Sequence, residues 1–102
     1  MPKRKRVVSL NRYRIFETNE FLKKIGKFPK KDADFIRKKL NEYVYPQIKK
    51  EPYLGSNIKK LRDYNPPVWR YRIGKYRVFY FIDSKEKIVY ILSADLRKDA
   101  YK

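Results

Sequence analysis

Val68-Trp69-Arg70-Tyr71-Arg72-Ile73-Gly74-Lys75-Tyr76-Arg77-Val78-Phe79-Tyr80-Phe81-Ile82 decides how this chain folds. Two aromatic-rich strand patterns flank one glycine. Arg70, Arg72, Lys75 and Arg77 fall within eight positions, with no Asp or Glu among them. Side chains of a strand alternate between faces, so Arg70 and Arg72 share one face while Trp69, Tyr71 and Ile73 share the other. Gly74-Lys75 reads as a tight turn, and residues 76–82 as the return strand. One sheet face thus receives fixed cations, backed by an apolar layer that holds them still. That is the surface a phosphate-bearing partner requires, and RNA is the expected one.

Reading outward, Asp83-Ser84-Lys85-Glu86 is a second turn, and residues 88–92 form a third, nearly all-apolar strand. Residues 93–102 carry mixed charge and are expected to leave the sheet. Upstream, residues 58–61 start another extended piece, which Asp63-Tyr64-Asn65-Pro66-Pro67 breaks. Residues 13–16 read as a short strand. Thr18 can cap a helix with Glu20 in its first turn, where a carboxylate suits the dipole. Phe21, Leu22, Ile25 and Phe28 then recur at helical spacing, Gly26 weakens this helix and Pro29 ends it. Pro29 also suits the opening of a second helix, with Asp32 and Asp34 near its positive end. Ile36, Leu40, Tyr43, Val44 and Ile48 make its apolar stripe. Pro46 lacks an N–H and collides with the carbonyl four residues back, so a kink or stop is expected near Tyr45. Residues 51–56 read as a loop.

Two short helices joined this closely form an αα-hairpin. The element order predicts an α+β domain: a two-helix hairpin packed on one face of a small, mainly antiparallel β-sheet. The other face stays open and carries the arginines. Residues 1–10 form a basic N-terminal arm and residues 11–102 a single domain.

Composition limits the chemistry. The formal charge is +17, from 28 Lys and Arg against 11 Asp and Glu. Hydrophobic residues at 42% and aromatics at 17% argue against a disordered basic tail. Solubility needs far less net charge than this, so the field points to a polyanion or an acidic partner. The 102 residues contain no cysteine and no histidine. Disulfides, thiol chemistry, Cys/His zinc sites and histidine acid–base catalysis are therefore excluded. The opening ten residues hold only a short apolar stub, too little for a secretory core, and no run is long enough to span a membrane. A cytoplasmic protein is expected.

Arginines that alternate with aromatics can be the plain solvated side of a sheet. Against that reading, Arg77 lies just across the turn, on the paired strand, so three guanidiniums converge at one end of one hairpin. Like charges brought together cost free energy unless an anion offsets them. Such a cluster suits phosphate recognition by bidentate hydrogen bonds. The natural reaction is RNA cleavage by attack of the ribose 2′-hydroxyl on the adjacent phosphate, without metal or cofactor. Fixed guanidiniums stabilise the charge that grows on the phosphorane. The base and acid must come from Tyr101, a lysine, or a carboxylate such as Asp95 or Asp99.

Three segments carry a resemblance. Ile58-Lys59-Lys60-Leu61, Trp69 through Tyr80, and Arg97-Lys98-Asp99-Ala100-Tyr101, in this order and spacing, are similar to the RelE/ParE toxin superfamily, of the RelE type. The likeness runs from about Phe21 to Lys102. It implies the toxin of a type II toxin–antitoxin system, a ribosome-dependent endoribonuclease that cuts mRNA, silenced by an acidic antitoxin that wraps it. By position it puts catalytic groups at Arg70, Arg72, Arg77, Arg97 and Tyr101, with Lys59, Lys60 and Lys75 as RNA-binding cations. Two departures matter. Arg70 and Arg72 stand where lysines are frequent, and arginine cannot be deprotonated to serve as a base. Leu96 stands where many relatives have histidine. The alternative that these departures favour is a ParE-like inhibitor of DNA gyrase without nuclease activity.

Overall fold

The computed structural model describes residues 12–96. Their order is β1 (Arg14–Glu17), α1 (Asn19–Gly26), α2 (Lys30–Lys39), a π-helical turn (Leu40–Val44), α3 (Tyr45–Lys50), β2 (Ile58–Lys60), β3 (Trp69–Ile73), β4 (Tyr76–Asp83) and β5 (Ile88–Leu96). The strands make one five-stranded sheet in the order β1-β5-β4-β3-β2. Only β1 is parallel to its neighbour β5; the other pairings are antiparallel. This is the expected α+β architecture. No helix among the described residues is long and apolar enough to cross a membrane.

Thr18 explains why β1 turns into a helix where it does. Its hydroxyl accepts from the Phe21 N–H at 3.2 Å, capping α1, and donates to the Ile91 carbonyl at 2.7 Å. One side chain thus caps α1 and fastens it to β5. Phe21, fully buried, then enters the core, whereas Leu22 stays 45% exposed.

Of the kink or stop expected near Tyr45, the stop does not occur: residues 30–50 are helical throughout. In a regular α-helix the Pro46 ring would meet the Glu42 carbonyl. The turn from Leu40 to Val44 widens instead, so that the Tyr45 N–H bonds the Leu40 carbonyl five residues back. Positions four apart overshoot a 3.6-residue turn, and a wider turn takes up part of that advance. Ile36, Leu40, Val44 and Ile48 accordingly stay on one line, all at most 1% exposed. Tyr43, expected in the same stripe, is left 58% exposed.

The stripe packs on the sheet face formed by Tyr71, Ile73, Tyr76, Val78, Tyr80, Val89, Ile91 and Ala94. The third strand of the meander also runs further than expected, to Leu96. Tyr80 pairs with Ile91 but Phe79 with Ser93, so Leu92 is an extra residue in β5. This bulge reverses the inward–outward alternation. Val89 and Ile91 face the core before it, and Ala94 after it.

A candidate nucleic-acid interface on the open sheet face

The hairpin that decides the fold also builds the site. Ile73 pairs with Tyr76, closing a two-residue turn in which Gly74 takes a φ of +57°. A left-handed φ at the first turn position matches the twist of the strands, and glycine adopts it without strain. With Tyr71, Ile73, Tyr76 and Val78 turned to the helices, their neighbours occupy the opposite face.

That face is ordered in rows. In the first, Arg72 of β3 stands directly opposite Arg77 of β4, and Arg77 opposite Asp95 of β5. In the second, Lys59 pairs with Arg70, Arg70 with Phe79, and Phe79 with Ser93. In the third, Phe81 pairs with Tyr90, which in turn pairs with Phe16 of β1. Cations thus dominate the turn end, and aromatics the far end.

Arg72 is exposed and Arg77 half-buried. Arg77 extends over Phe79, its guanidinium carbon 5.5 Å from the ring centre. Its Nε is buried without a hydrogen-bond partner among the described residues. An unmet donor on a charged group is costly, and beside a second guanidinium it leaves a site short of anionic acceptors. The carboxylate of Asp95 lies 3.1 Å from Lys24 Nζ on α1. The ends of the arginine strands are pinned from behind. Tyr71 donates to Gln47 Oε1 at 2.6 Å, and Tyr76 donates to Asp32. Burial, then the bond to Asp32, pushes the Tyr76 phenol up to about 12.

A family model describing the ParE toxin of type II toxin–antitoxin systems matches residues 17–101. The chain belongs to that family. No curated relative matches it. Solved structures with the same fold include the RelBE2 toxin–antitoxin complex of Mycobacterium tuberculosis, at 24% identity and a TM-score of 0.66 over 84% of this chain and 99% of that one. The archaeal RelE–RelB complex of Pyrococcus horikoshii follows at 24% and 0.61, covering 83% and 94%. The free E. coli toxin RelE carrying two Arg-to-Ala substitutions gives 20% and 0.61, covering 88% of each chain. The protein is therefore a toxin of the RelE/ParE superfamily, with its α+β fold.

Of the residues singled out in the toxin's sequence, Lys59, Arg70, Arg72 and Arg77 share the open face. Lys60 pairs with Trp69 and takes the alternate orientation, away from that cluster. Lys75 sits in the turn, its Nζ 5.8 Å from the Tyr76 ring centre. Arg97, Asp99 and Tyr101 lie outside the described residues. Two features escaped the sequence reading. The bulge brings Asp95 beside Arg77, and no one-dimensional pattern announces a bulge. The aromatic row was half-legible, because Phe79 and Phe81 alternate in phase with Arg77; Tyr90 and Phe16 join it only through strand pairing.

Proposed function

We propose that the toxin is a metal-independent endoribonuclease that cuts mRNA on the ribosome, through attack of a ribose 2′-hydroxyl on the adjacent phosphate. The observation that carries this reading is the Arg72–Arg77 pair, with Arg70 one row behind it on the same face. Two guanidiniums opposite each other can grip non-bridging phosphate oxygens and stabilise the charge that builds on the phosphorane. The 2′-oxygen forms the new bond to phosphorus, the 5′-oxygen leaves, and a cyclic phosphate remains. Asp95, in the row of the arginine pair, serves as the acceptor of the 2′-hydroxyl proton. Tyr101 supplies a proton to the leaving oxygen. Arg97 joins the charge clamp, and Lys59 and Lys75 attract the strand. The RelE toxins in the complexes above are bound by an antitoxin; in this reading an acidic antitoxin of this toxin covers the same basic surface.

Primer extension on message added to a reconstituted translation reaction tests the proposal. Discrete cuts within translated codons are expected, absent with Arg77→Ala and absent without ribosomes. Intact message would overturn it.

A second reading has its own observation: the matching family model is that of ParE. If the toxin instead inhibits DNA gyrase through protein contacts, purified protein blocks supercoiling and leaves mRNA whole.

A further inference from the structure

We propose that the aromatic end of the open face is a nucleobase subsite, in which an unstacked base of the bound RNA lies against Phe81 and Tyr90. The inference rests on the RNA reading above and adds to it the element that contacts base rather than phosphate.

A cavity of about 440 Å³ opens there, walled by Tyr64, Pro66, Val68, Phe81, Tyr90 and Leu92. Thr18 and Asn65 also line it, and little of the wall is polar. No charged residue lines it, although the chain carries a net +17. Phosphate is therefore the wrong occupant, and a neutral flat ring the right one. The rings of Phe81 and Tyr90 are stacked at 28° with centres 6.1 Å apart, and Phe16 meets Tyr90 edge-on at 5.6 Å. Phe16 and Tyr64 are 55% and 56% exposed, an apolar surface with a cost in water.

Position selects RNA over an apolar peptide. Arg77, Phe79 and Phe81 alternate along one strand, so the arginine pair and the cavity are four residues apart on the same face, roughly 13 Å. A single strand of RNA presents anions along its backbone and flat apolar rings beside it. Splayed bases stacked on aromatic side chains are the usual means by which proteins bind such strands. The phosphate at Arg72 and Arg77 and the base in the cavity then belong to neighbouring nucleotides of one strand.

The test is fluorescence anisotropy with the full chain, using two RNA oligonucleotides of equal length, one normal and one abasic throughout. The wild type should bind the normal strand more tightly by about 5- to 150-fold, the range for one stacked base. Phe81→Leu and Tyr90→Leu keep apolar bulk without a stacking face, and should shrink that ratio while leaving abasic binding unchanged. The ratio should persist as salt rises, whereas the loss caused by Arg77→Ala should shrink. The abasic comparison needs no variant, so a misfolded mutant cannot obscure it. Equal binding of both strands, with Arg77→Ala weakening each, overturns the subsite and leaves the RNA reading standing. RNA binding indifferent to Arg77→Ala overturns both. Variants that keep the ratio but escape neutralisation by the antitoxin would make the cavity a protein seat, and that too overturns the subsite.

Discussion

The two faces of one sheet obey opposite rules. On the helix-covered face polar atoms are rare, and the tyrosines that reach it have partners. Tyr80 donates to the Pro52 carbonyl and Tyr71 to Gln47, each at 2.6 Å, and Tyr76 donates to Asp32. On the open face two arginines oppose each other, and a buried Nε has no acceptor among the described residues. The first face is satisfied by the fold itself. The second is left, among the described residues, with a donor that the fold does not satisfy. The same backbone alternation produces both, so a residue's place in the sequence, odd or even within its strand, decides whether its loss costs stability or activity.

Phe21→Ala should give the largest effect and should fall on stability. The ring is fully buried beside the Thr18 cap. Truncation of such a core aromatic costs about 3–5 kcal/mol, a large share of what a domain this size possesses. Urea denaturation should show a midpoint far below wild type, with toxicity lost along with the fold. A stable but inactive Phe21→Ala protein would break the division between the faces.

Arg77→Ala should fall entirely on activity. Removing one preformed charge-stabilising donor lowers turnover by about 10²–10³-fold. The fold should be unharmed, since the substitution also removes an unmet donor and a like-charge contact. Growth arrest on induction, together with the urea midpoint of the purified variant, separates the two effects. A variant destabilised in proportion to its loss of toxicity would mean that Arg77 is structural.

Tyr80→Phe sharpens the contrast from the covered side. It strands the Pro52 carbonyl and should cost about 1–3 kcal/mol without touching the open face. The pH response follows from the same tyrosines. Burial comes first among the causes that push Tyr45, Tyr76 and Tyr80 up, Tyr76 to about 12. Unfolded tyrosine ionises near 10, so above that pH the unfolded state has shed protons that the fold retains. The tyrosine contribution is whole below about pH 10, and stability declines as pH rises from there toward 12. Urea midpoints taken from pH 8 upward should be flat and then fall, and Tyr80→Phe should fall less steeply. A midpoint that ignores pH across this window would mean that these phenols ionise as freely in the fold as in water.

How far each face was legible follows from what sets it. The β3–β4 hairpin was open to reading because its alternation is unbroken and its turn has glycine at the position that requires it. The core stripe of Ile36, Leu40, Val44 and Ile48 was also visible. The wide turn that accommodates Pro46 was not, since a proline announces the conflict but not how the backbone resolves it. Placing Tyr43 outside the stripe follows from that same turn. Leu92 is the other case. A single inserted residue reversed the parity of β5 and carried Ser93 and Asp95 onto the open face, where a strict period of two would have buried them. Membership of the toxin family was carried by the hairpin and the segments flanking it, not by composition. The row of Arg72, Arg77 and Asp95 needed strand register, which is a property of pairs and not of any one segment.

The smallest shift should come from Arg72→Glu, and it is the sharpest test because its two consequences point in opposite directions. Arg72 and Arg77 face each other across the hairpin, where like charges are unfavourable and opposite charges contribute roughly 0.2–1 kcal/mol. Glutamate at position 72 converts a repelling pair into an attracting one, at an exposed site. The urea midpoint should therefore rise slightly, and more at low salt than at high salt, because screening weakens an exposed pair. The new carboxylate would also occupy the guanidinium that phosphate needs, and toxicity should vanish. A protein more stable than its parent and yet harmless would show that the repulsion on the open face is retained for the sake of its ligand. If Arg72→Glu were both less stable and fully toxic, the arginine pair would be neither strained nor functional, and the opposition between the two faces would fail at its centre.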